Sequence, residues 1–300
     1  MAKKWIDIPE DVVAWFRDAF AEANRQVSEI MLNVPSIRET SLDDTLIQAL
    51  IPKSSPTLMP SGALVRMDIH NVGGLRRVQR WEVADIAVLV FIIREGAVIG
   101  RKIGLLQAKR LYPLNSDVDD IDPVGFQYGL NAFLNPNPSP TSMALARRFD
   151  FEDECKYGEI RAGSDQLKRM EAFSQRSGFP VDYLLYNPPT VPVQVSYPIV
   201  SRHVLERAPA LGCRVVARSK MRKVVKPLSE GQAPTLRQVR AVVGAEAGWR
   251  LEYWAADLLL RCKAGRKYEA GDEQSMLPMI ERRTGPIGAA IAVKIELAKG

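Results

Sequence analysis

Apolar residues recur at helical spacing in the N-terminal part of the chain. Over residues 9–32 they fall every three or four positions, after Pro9 and two acidic residues, which predicts a long amphipathic helix. A shorter helix is predicted for residues 41–50, directly after Glu39 and Thr40. Two helices are therefore expected before the first strand of the chain.

The spacing changes to that of β-strands in the middle of the chain. Short, mostly apolar runs predict strands over residues 63–70, 84–93, 102–109 and 181–186. Before the last of these, a helix is predicted that begins after a Ser164 cap and ends at Gly178. The order helix, three strands, helix, strand predicts an α/β fold whose core is a three-strand meander followed by a helix and a strand.

The domain organisation follows from shifts in composition. Residues 1–190 contain the predicted core, and residues 111–163, rich in Pro, Asn and Asp, predict an irregular insert that is too long for a plain connector. Residues 191–300 form a basic C-terminal region in which two helices and a final strand at 288–297 predict an α+β elaboration. That strand either extends the core sheet, making one domain, or belongs to a separate unit.

The third predicted strand ends in the segment IGLLQAKR, residues 103–110. Side chains two positions apart on a strand share a face, so Gln107 and Lys109 lie side by side. Both faces of the strand are apolar up to this point, as in a central strand that is covered on both sides. A buried strand that becomes polar at one end indicates a site at that end.

A tight hairpin is predicted between the second and third strands because Gly96 interrupts two apolar runs. If the loop has three residues, either Asp85 lies directly opposite Gln107 or the two are diagonal neighbours. In both registers Asp85 shares one face with Gln107 and Lys109. A two-residue loop would place Asp85 on the opposite face, so the prediction depends on an odd loop.

A carboxylate, an amide oxygen and a lysine at one sheet end suit Mg²⁺ chemistry on a phosphate. Mg²⁺ takes oxygen ligands from few protein groups and completes its shell with water and phosphate. A lysine beside it would orient water or offset the negative charge that develops on the phosphoryl oxygens. The alternative is structural: Lys109 forms an ion pair with Asp85, and Gln107 satisfies a backbone group at the sheet edge.

Asp85, a hairpin and then Gln107-Ala108-Lys109, within this order of elements, resemble the PD-(D/E)xK nuclease superfamily over roughly residues 30–190. The form LLQAKR is most similar to the Mrr-type restriction branch, in which Gln replaces the usual acid. The resemblance implies DNA cleavage that depends on Mg²⁺ or Mn²⁺, with Asp85 as the main metal ligand. It implies Gln107 as a weaker ligand or water-positioning group, the Ala108 carbonyl as a ligand and Lys109 as the catalytic lysine.

Related nucleases also carry an acid on the helix before the first strand and a Gln after the motif strand. Glu39 is the first choice for the acid and Asp43, one helical turn later, is the second. Gln166 matches the position of the Gln and would contact nucleic acid. The structural alternatives are that the acids stabilise the positive N-terminus of the helix, and that Gln166 lies on an exposed polar face.

The composition, 46% hydrophobic and 25% charged residues in a 300-residue chain, is that of an ordinary globular protein. Three cysteines without CxxC spacing favour a reducing compartment. There is no apolar signal core and no apolar run of about 18 residues, so a cytoplasmic protein without membrane contact is expected.

Positive charge is concentrated in one stretch of a chain whose net charge is +6. Residues 202–226 contain eight Lys or Arg and one acid, which favours a surface that follows nucleic-acid phosphates. The predicted contacts are Arg218, Lys220, Arg222 and Lys223. The alternative is a solvated basic face.

The Mrr-like resemblance implies a restriction or anti-phage role, with DNA as the partner. It also implies a homo-oligomer and a protein partner such as an NTPase, a helicase or another subunit of a defence system. A different class of function is a non-catalytic nucleic-acid-binding subunit that retains the nuclease fold, because the substitution of Gln for an acid weakens one metal ligand.

Overall fold

A computed structural model describes residues 6–71, 83–114, 147–197, 201–268 and 287–298 of the chain. It shows a mixed α/β fold in which helices pack on a central sheet that contains both parallel and antiparallel strands. Within these residues, no helix has the length and apolar character that crossing a membrane requires.

The helices of the first 190 residues begin and end close to their predicted bounds. α1 spans Glu10–Asn33, α2 spans Glu39–Leu50 and α3 spans Asp165–Ser177. The Ser164 side chain accepts from the N–H of Leu167, and Gly178, with φ 70°, ends α3 in the left-handed conformation. These caps explain why the bounds of α3 could be predicted from local sequence.

The C-terminal region contributes three further helices to the described part of the chain. α4 spans Arg218–Val225, and α5 spans Leu236–Val243 behind a capping box formed by Thr235 and Gln238. α6 spans Leu251–Tyr253 and continues as a π-helix over Trp254–Leu260. The π-helical segment is buried, and its Trp254 side chain packs against Gly104 of the sheet, where a larger residue than glycine would clash.

Nine of the described strands form the central sheet, and two others form a separate pair. The strands in chain order are β1 Thr57–Leu58, β2 Leu64–Asn71, β3 Ala84–Arg94, β4 Ala97–Arg110, β5 Arg147–Phe151, β6 Val181–Tyr186, β7 Val193–Tyr197, β8 Arg214–Val216, β9 Trp249–Arg250, β10 Arg266–Lys267 and β11 Ile287–Glu296. The sheet order is β1–β2–β11–β3–β4–β6–β8–β9, and β10 pairs with β4. As predicted, β4 is a central strand.

The predicted three-strand meander is wrong for its first strand. β11 lies between β2 and β3, antiparallel to the first and parallel to the second. Its small residues and its buried Ile291, Val293 and Ile295 pack well in the middle of a sheet. The central sheet is thus built from both the first 190 residues and the C-terminal region.

The β3–β4 hairpin has the predicted register beside Asp85, but its turn differs from the predicted one. Arg94 pairs with Ala97, so the turn contains only Glu95 and Gly96, both with positive φ. The predicted odd loop is therefore wrong. A β-bulge at Ile99 adds the extra residue, and beyond it Ile86 pairs with Leu106, which places Asp85 opposite Gln107. The predicted common face is confirmed.

The predicted irregular insert, residues 111–163, is in part regular. β5 lies inside it and pairs antiparallel with β7. The described residues 111–114 continue from β4, with Tyr112 bridging to Lys156 and Leu114 to Asp150. Residues 115–146 of the predicted insert lie outside the described residues.

Asp182, in β6, supplies a pH-dependent contribution to stability. Burial raises the pKa of its carboxyl group from 3.8 to about 6, although the Arg218 backbone N–H donates to it at 3.1 Å and opposes the shift. An acid with a higher pKa in the folded chain holds its proton more tightly there. Its contribution therefore destabilises the fold as the pH rises from about 4 to about 6.

Asp182→Asn changes the free energy of unfolding by one amount at pH 7 and by another at pH 4. We expect the change at pH 7 to be more stabilising than the change at pH 4 by about 1–2 kcal/mol. The amide keeps an acceptor for the Arg218 N–H but carries no charge to desolvate. Urea unfolding at the two pH values, with Asp44→Asn on the exposed side of α2 as the matched control, measures this difference. Equal effects of Asp182→Asn at both pH values would contradict the expectation.

Candidate active site

The carboxylate of Asp85 is held by the polar end of β4. Asp85 Oδ2 accepts a hydrogen bond from Gln107 Nε2 and a second, at 2.7 Å, from the Ala108 N–H. Asp85 and Gln107 are both buried. The antiparallel pairing of β3 and β4 brings them together, so the predicted contact across the hairpin is confirmed.

The amide oxygen of Gln107 is the unusual atom of this site. Gln107 Oε1 is buried, and among the residues that the structure describes it has no hydrogen-bond partner. A buried polar atom without a partner costs about 1–3 kcal/mol, and the large majority of buried side-chain polar atoms in folded proteins have one. An oxygen left in this condition beside a carboxylate is suited to binding a cation or water.

Glu39, the first residue of α2, connects that helix to the end of β4. Glu39 Oε1 lies 2.8 Å from Lys109 Nζ, and Glu39 Oε2 accepts from the Arg110 N–H at 3.1 Å. Arg110 in turn donates from its guanidinium to the carbonyl of Pro35 at 2.6 Å, just before α2. The first-choice acid of the sequence analysis is therefore in direct contact with the predicted catalytic lysine.

Asp43 lies one helical turn after Glu39 and is also buried. Asp43 Oδ1 accepts from the Tyr186 hydroxyl group at 2.7 Å. Sequence reasoning missed Tyr186. The sequence feature that indicated Gln107 could have indicated Tyr186 too, because Tyr186 also carries a polar group at the end of a buried strand. Arg110, which anchors the loop before α2, was missed as well.

The charges of these residues change one another's pKa. Burial raises the pKa of Glu39, against the effect of Lys109 and with that of Asp85. Burial also raises the pKa of Asp43 well above its usual value, and the charge of Asp85 adds to the shift. Burial alone would lower the pKa of Lys109, but Glu39, Asp85 and Asp43 together outweigh it and raise the pKa. Lys109 is therefore a cation at neutral pH.

The oxygen atoms of the site are the kind of ligand that a hard dication binds, but few of them carry a negative charge. Within the described ranges, no three His, Cys, Asp or Glu side chains are arranged to bind a metal ion together. The site offers the Asp85 carboxylate, the unpartnered Gln107 amide oxygen and, on α2, Glu39 or Asp43. Mg²⁺ and Mn²⁺ prefer such oxygen ligands. The amide oxygen would have to act as one of the ligands.

The other predicted residues lie on α3 and α4. Gln166 is partly buried near the start of α3, and Lys220, Arg222 and Lys223 are exposed on α4. Arg218 donates from its guanidinium to Glu171 at 2.8 Å. The fold therefore places these five residues on elements other than those that carry the acids.

Part of the basic stretch is used by the fold itself. Arg214 is buried and donates to Glu246 and to two backbone carbonyls, and Arg202 pairs with Glu29 on α1. These two arginines join distant segments. The predicted contacts on α4 remain candidates for binding nucleic acid, and Arg207 and Lys226 of the same stretch are exposed as well.

Comparison of this chain with protein-family models, with curated proteins and with solved structures found no match.

Proposed function

We propose that this protein is a metal-dependent endonuclease of the PD-(D/E)xK type that hydrolyses DNA phosphodiester bonds. The observation that carries the proposal is the buried, unpartnered Gln107 oxygen beside Asp85, next to a lysine held by Glu39. The order α2, β2, β3, β4, α3, β6, with β6 parallel to β4, further supports a restriction-endonuclease-like core, and β5, between β4 and α3, lies outside the central sheet. The insertion of β11 between β2 and β3 departs from a simple meander.

Each residue of the site has a role in this proposal. Asp85 and Gln107, with the Ala108 carbonyl and Glu39 or Asp43, would hold Mg²⁺ or Mn²⁺. A bound dication supplies Lewis-acid polarisation of the phosphate and an activated water. Because Glu39 contacts Lys109 directly, binding of Glu39 to a cation would release the lysine toward the substrate.

The charge of Lys109 limits what it can do. In the metal-free protein Glu39 and Asp85 raise the pKa of Lys109, so Nζ is a cation there. We assign this cation an electrostatic role in place of proton abstraction: it would donate to a phosphoryl oxygen and offset the negative charge that develops there. This assignment refines the role that the family resemblance implies.

A second candidate is a non-catalytic nucleic-acid-binding subunit. The observation that favours it is the closed network of the site, in which Lys109 is held by Glu39, Asp85 by Gln107 and Ala108, and Asp43 by Tyr186. Such a network also stabilises the junction of α2 with the sheet without any chemistry. In this case DNA binding would depend on the basic residues of α4 alone.

A restriction or anti-phage role, with an NTPase, helicase or other defence subunit as the partner and a homo-oligomeric assembly, is part of the proposal. This biological role rests on the Mrr-like form of the motif, Gln107-Ala108-Lys109. The assignment of the site residues does not depend on it. Cleavage by the isolated chain and cleavage in the presence of such a partner are therefore separate measurements.

Supercoiled plasmid tests the enzyme proposal directly. We expect nicked or linear DNA with Mg²⁺ or Mn²⁺ and intact plasmid with EDTA. In the proposed site the dication polarises the phosphate, and the protein side chains alone do not. A Lys109 variant purified in parallel excludes a contaminating nuclease. Intact plasmid at every metal concentration, with partner proteins added, would favour the binding subunit.

A further inference from the structure

A cleft between α3 and α4 lies over β6, on the side of the sheet that Tyr183 faces. We call it the α3–α4 groove, a cavity of about 430 Å³. Its floor is apolar: Leu167 is partly exposed there, and beneath it lie the buried side chains of Met170, Tyr183, Met221 and Val225. The Tyr183 hydroxyl group is directed to Met170 Sδ at 3.7 Å, which fixes the aromatic ring within the floor.

The rim of the groove is basic. Lys168, Arg218, Arg222 and Lys226 line the same cavity. A second cavity of about 420 Å³ shares the last three of these residues and adds Lys223. Because the two cavities share these residues, an apolar compartment lies beside a basic one, and we use the term cleft for the two together.

Charge in the cleft is strongly one-sided. Among the described residues, the lining of the two cavities includes five basic side chains and one carboxylate, that of Glu171. Glu171 accepts from Arg218 at 2.8 Å, so its charge is already balanced. Arg222 Nη1 lies 3.9 Å from Glu171 Oε1, but three quarters of the Arg222 side chain is exposed and can also meet an anion from solution.

We infer that the α3–α4 groove binds a nucleotide whose base is unpaired, with the base on the apolar floor and its phosphates on the basic rim. An aromatic base next to a phosphate matches an apolar compartment next to a basic one. Stacking on side chains and backbone contacts to Lys and Arg are how proteins hold single strands. The first cavity lies within the range of about 300–1,000 Å³ that is usual for such sites.

The groove adjoins the candidate active site through the sheet. Tyr183, in its floor, is the parallel-strand partner of Gln107. Adjacent strands lie about 4.8 Å apart, and partner residues face the same side. The groove and Gln107 therefore lie on the same side of the sheet, on adjacent strands. This inference rests on the proposed nuclease function. It assigns DNA with an unpaired stretch next to the cleaved bond as the substrate class.

The test is a binding measurement with the full chain in EDTA, which does not require cleavage. The probes are a fluorescent oligothymidylate of about twelve nucleotides, an abasic strand of equal length and charge, and a blunt duplex. We expect the oligothymidylate to bind about tenfold or more tighter than either of the others, because only it has bases free to stack. Equal affinity for the oligothymidylate and the abasic strand would overturn the inference.

Variants separate the two compartments. Leu167→Ser removes apolar surface from the floor without adding a charge, and it should weaken binding of the oligothymidylate about tenfold while leaving the abasic strand unaffected. Arg222→Glu should weaken both ligands, and Arg94→Glu, exposed at the far end of β3, should weaken neither. If Leu167→Ser does not fold, the comparison of the two probes on the wild-type chain still tests the inference.

Competition by thymidine monophosphate distinguishes a nucleotide in a strand from a free nucleotide. We expect the monophosphate to compete poorly, since it contacts only one part of the cleft. Competition as effective as that of the oligothymidylate would overturn the assignment to a strand. Because binding is measured in EDTA, a tenfold preference for the strand supports the inference even if no DNA is cut. Cleavage without that preference would overturn it and leave the nuclease proposal intact.

Discussion

Lys109→Ala should lower the rate of DNA cleavage by about 10²- to 10³-fold and change DNA affinity in EDTA by less than about twofold. The ammonium group is assigned to charge that develops only as the phosphodiester bond breaks, so its loss affects the transition state and not ground-state binding. Single-turnover cleavage of a labelled DNA, together with fluorescence anisotropy in EDTA, measures the two effects separately. Lys294→Ala, on β11, is the matched control.

Lys109 also has a structural contact, and the experiment must distinguish the two roles. The ion pair with Glu39 joins α2 to β4 in a buried setting, where removal of one partner leaves the other charge uncompensated. Melting temperatures of the wild type and of Lys109→Ala, each with and without Mg²⁺, report this loss. A variant that melts at a lower temperature but cleaves at the wild-type rate would show that the ion pair is structural only.

Gln107→Glu should lower the metal concentration required for half-maximal cleavage by about tenfold. A carboxylate attracts a dication more strongly than an amide oxygen does, and it has nearly the same shape. The wild-type protein should accordingly need metal in roughly the millimolar range, or a bound DNA phosphate that completes the site. Mg²⁺ and Mn²⁺ titrations of cleavage measure the change, with Gln48→Glu on the exposed side of α2 as the matched control.

The same variant has a second readout that does not depend on activity. In the metal-free protein Gln107 Nε2 donates to Asp85, and a carboxylate in its place would repel that group. Gln107→Glu should therefore melt at a lower temperature in EDTA, and the addition of Mn²⁺ should raise its melting temperature more than that of the wild type. In a non-catalytic subunit, metal would have no such effect and DNA binding would only weaken.

Secondary structure was largely predictable because its signals are local. α3 begins after Ser164 and ends before Gly178, since a hydroxyl cap and a left-handed glycine act on backbone groups within one turn. β6 occupies its predicted residues, and Gln107 and Lys109 share a face because alternation is a property of any strand. These features require no knowledge of the rest of the chain.

The pairing of strands required the tertiary structure. β11 lies beside β3 although about 190 residues separate them, and no local pattern in either strand indicates its partner. The bulge at Ile99 likewise exists only when β3 and β4 are paired. It is this bulge, after a two-residue turn, that puts Asp85 on the same side as Gln107.

The sequence by itself determined which residue types stand at the end of β4, and with them the hypothesis of a metal site beside Asp85. Only the tertiary structure decided which acid reaches Lys109, since the contact with Glu39 crosses about seventy residues. It also decided that Tyr186 holds Asp43 and that Arg214 is buried while Arg222 is exposed. Charge and polarity are properties of single residues, whereas burial and partners depend on how distant segments pack.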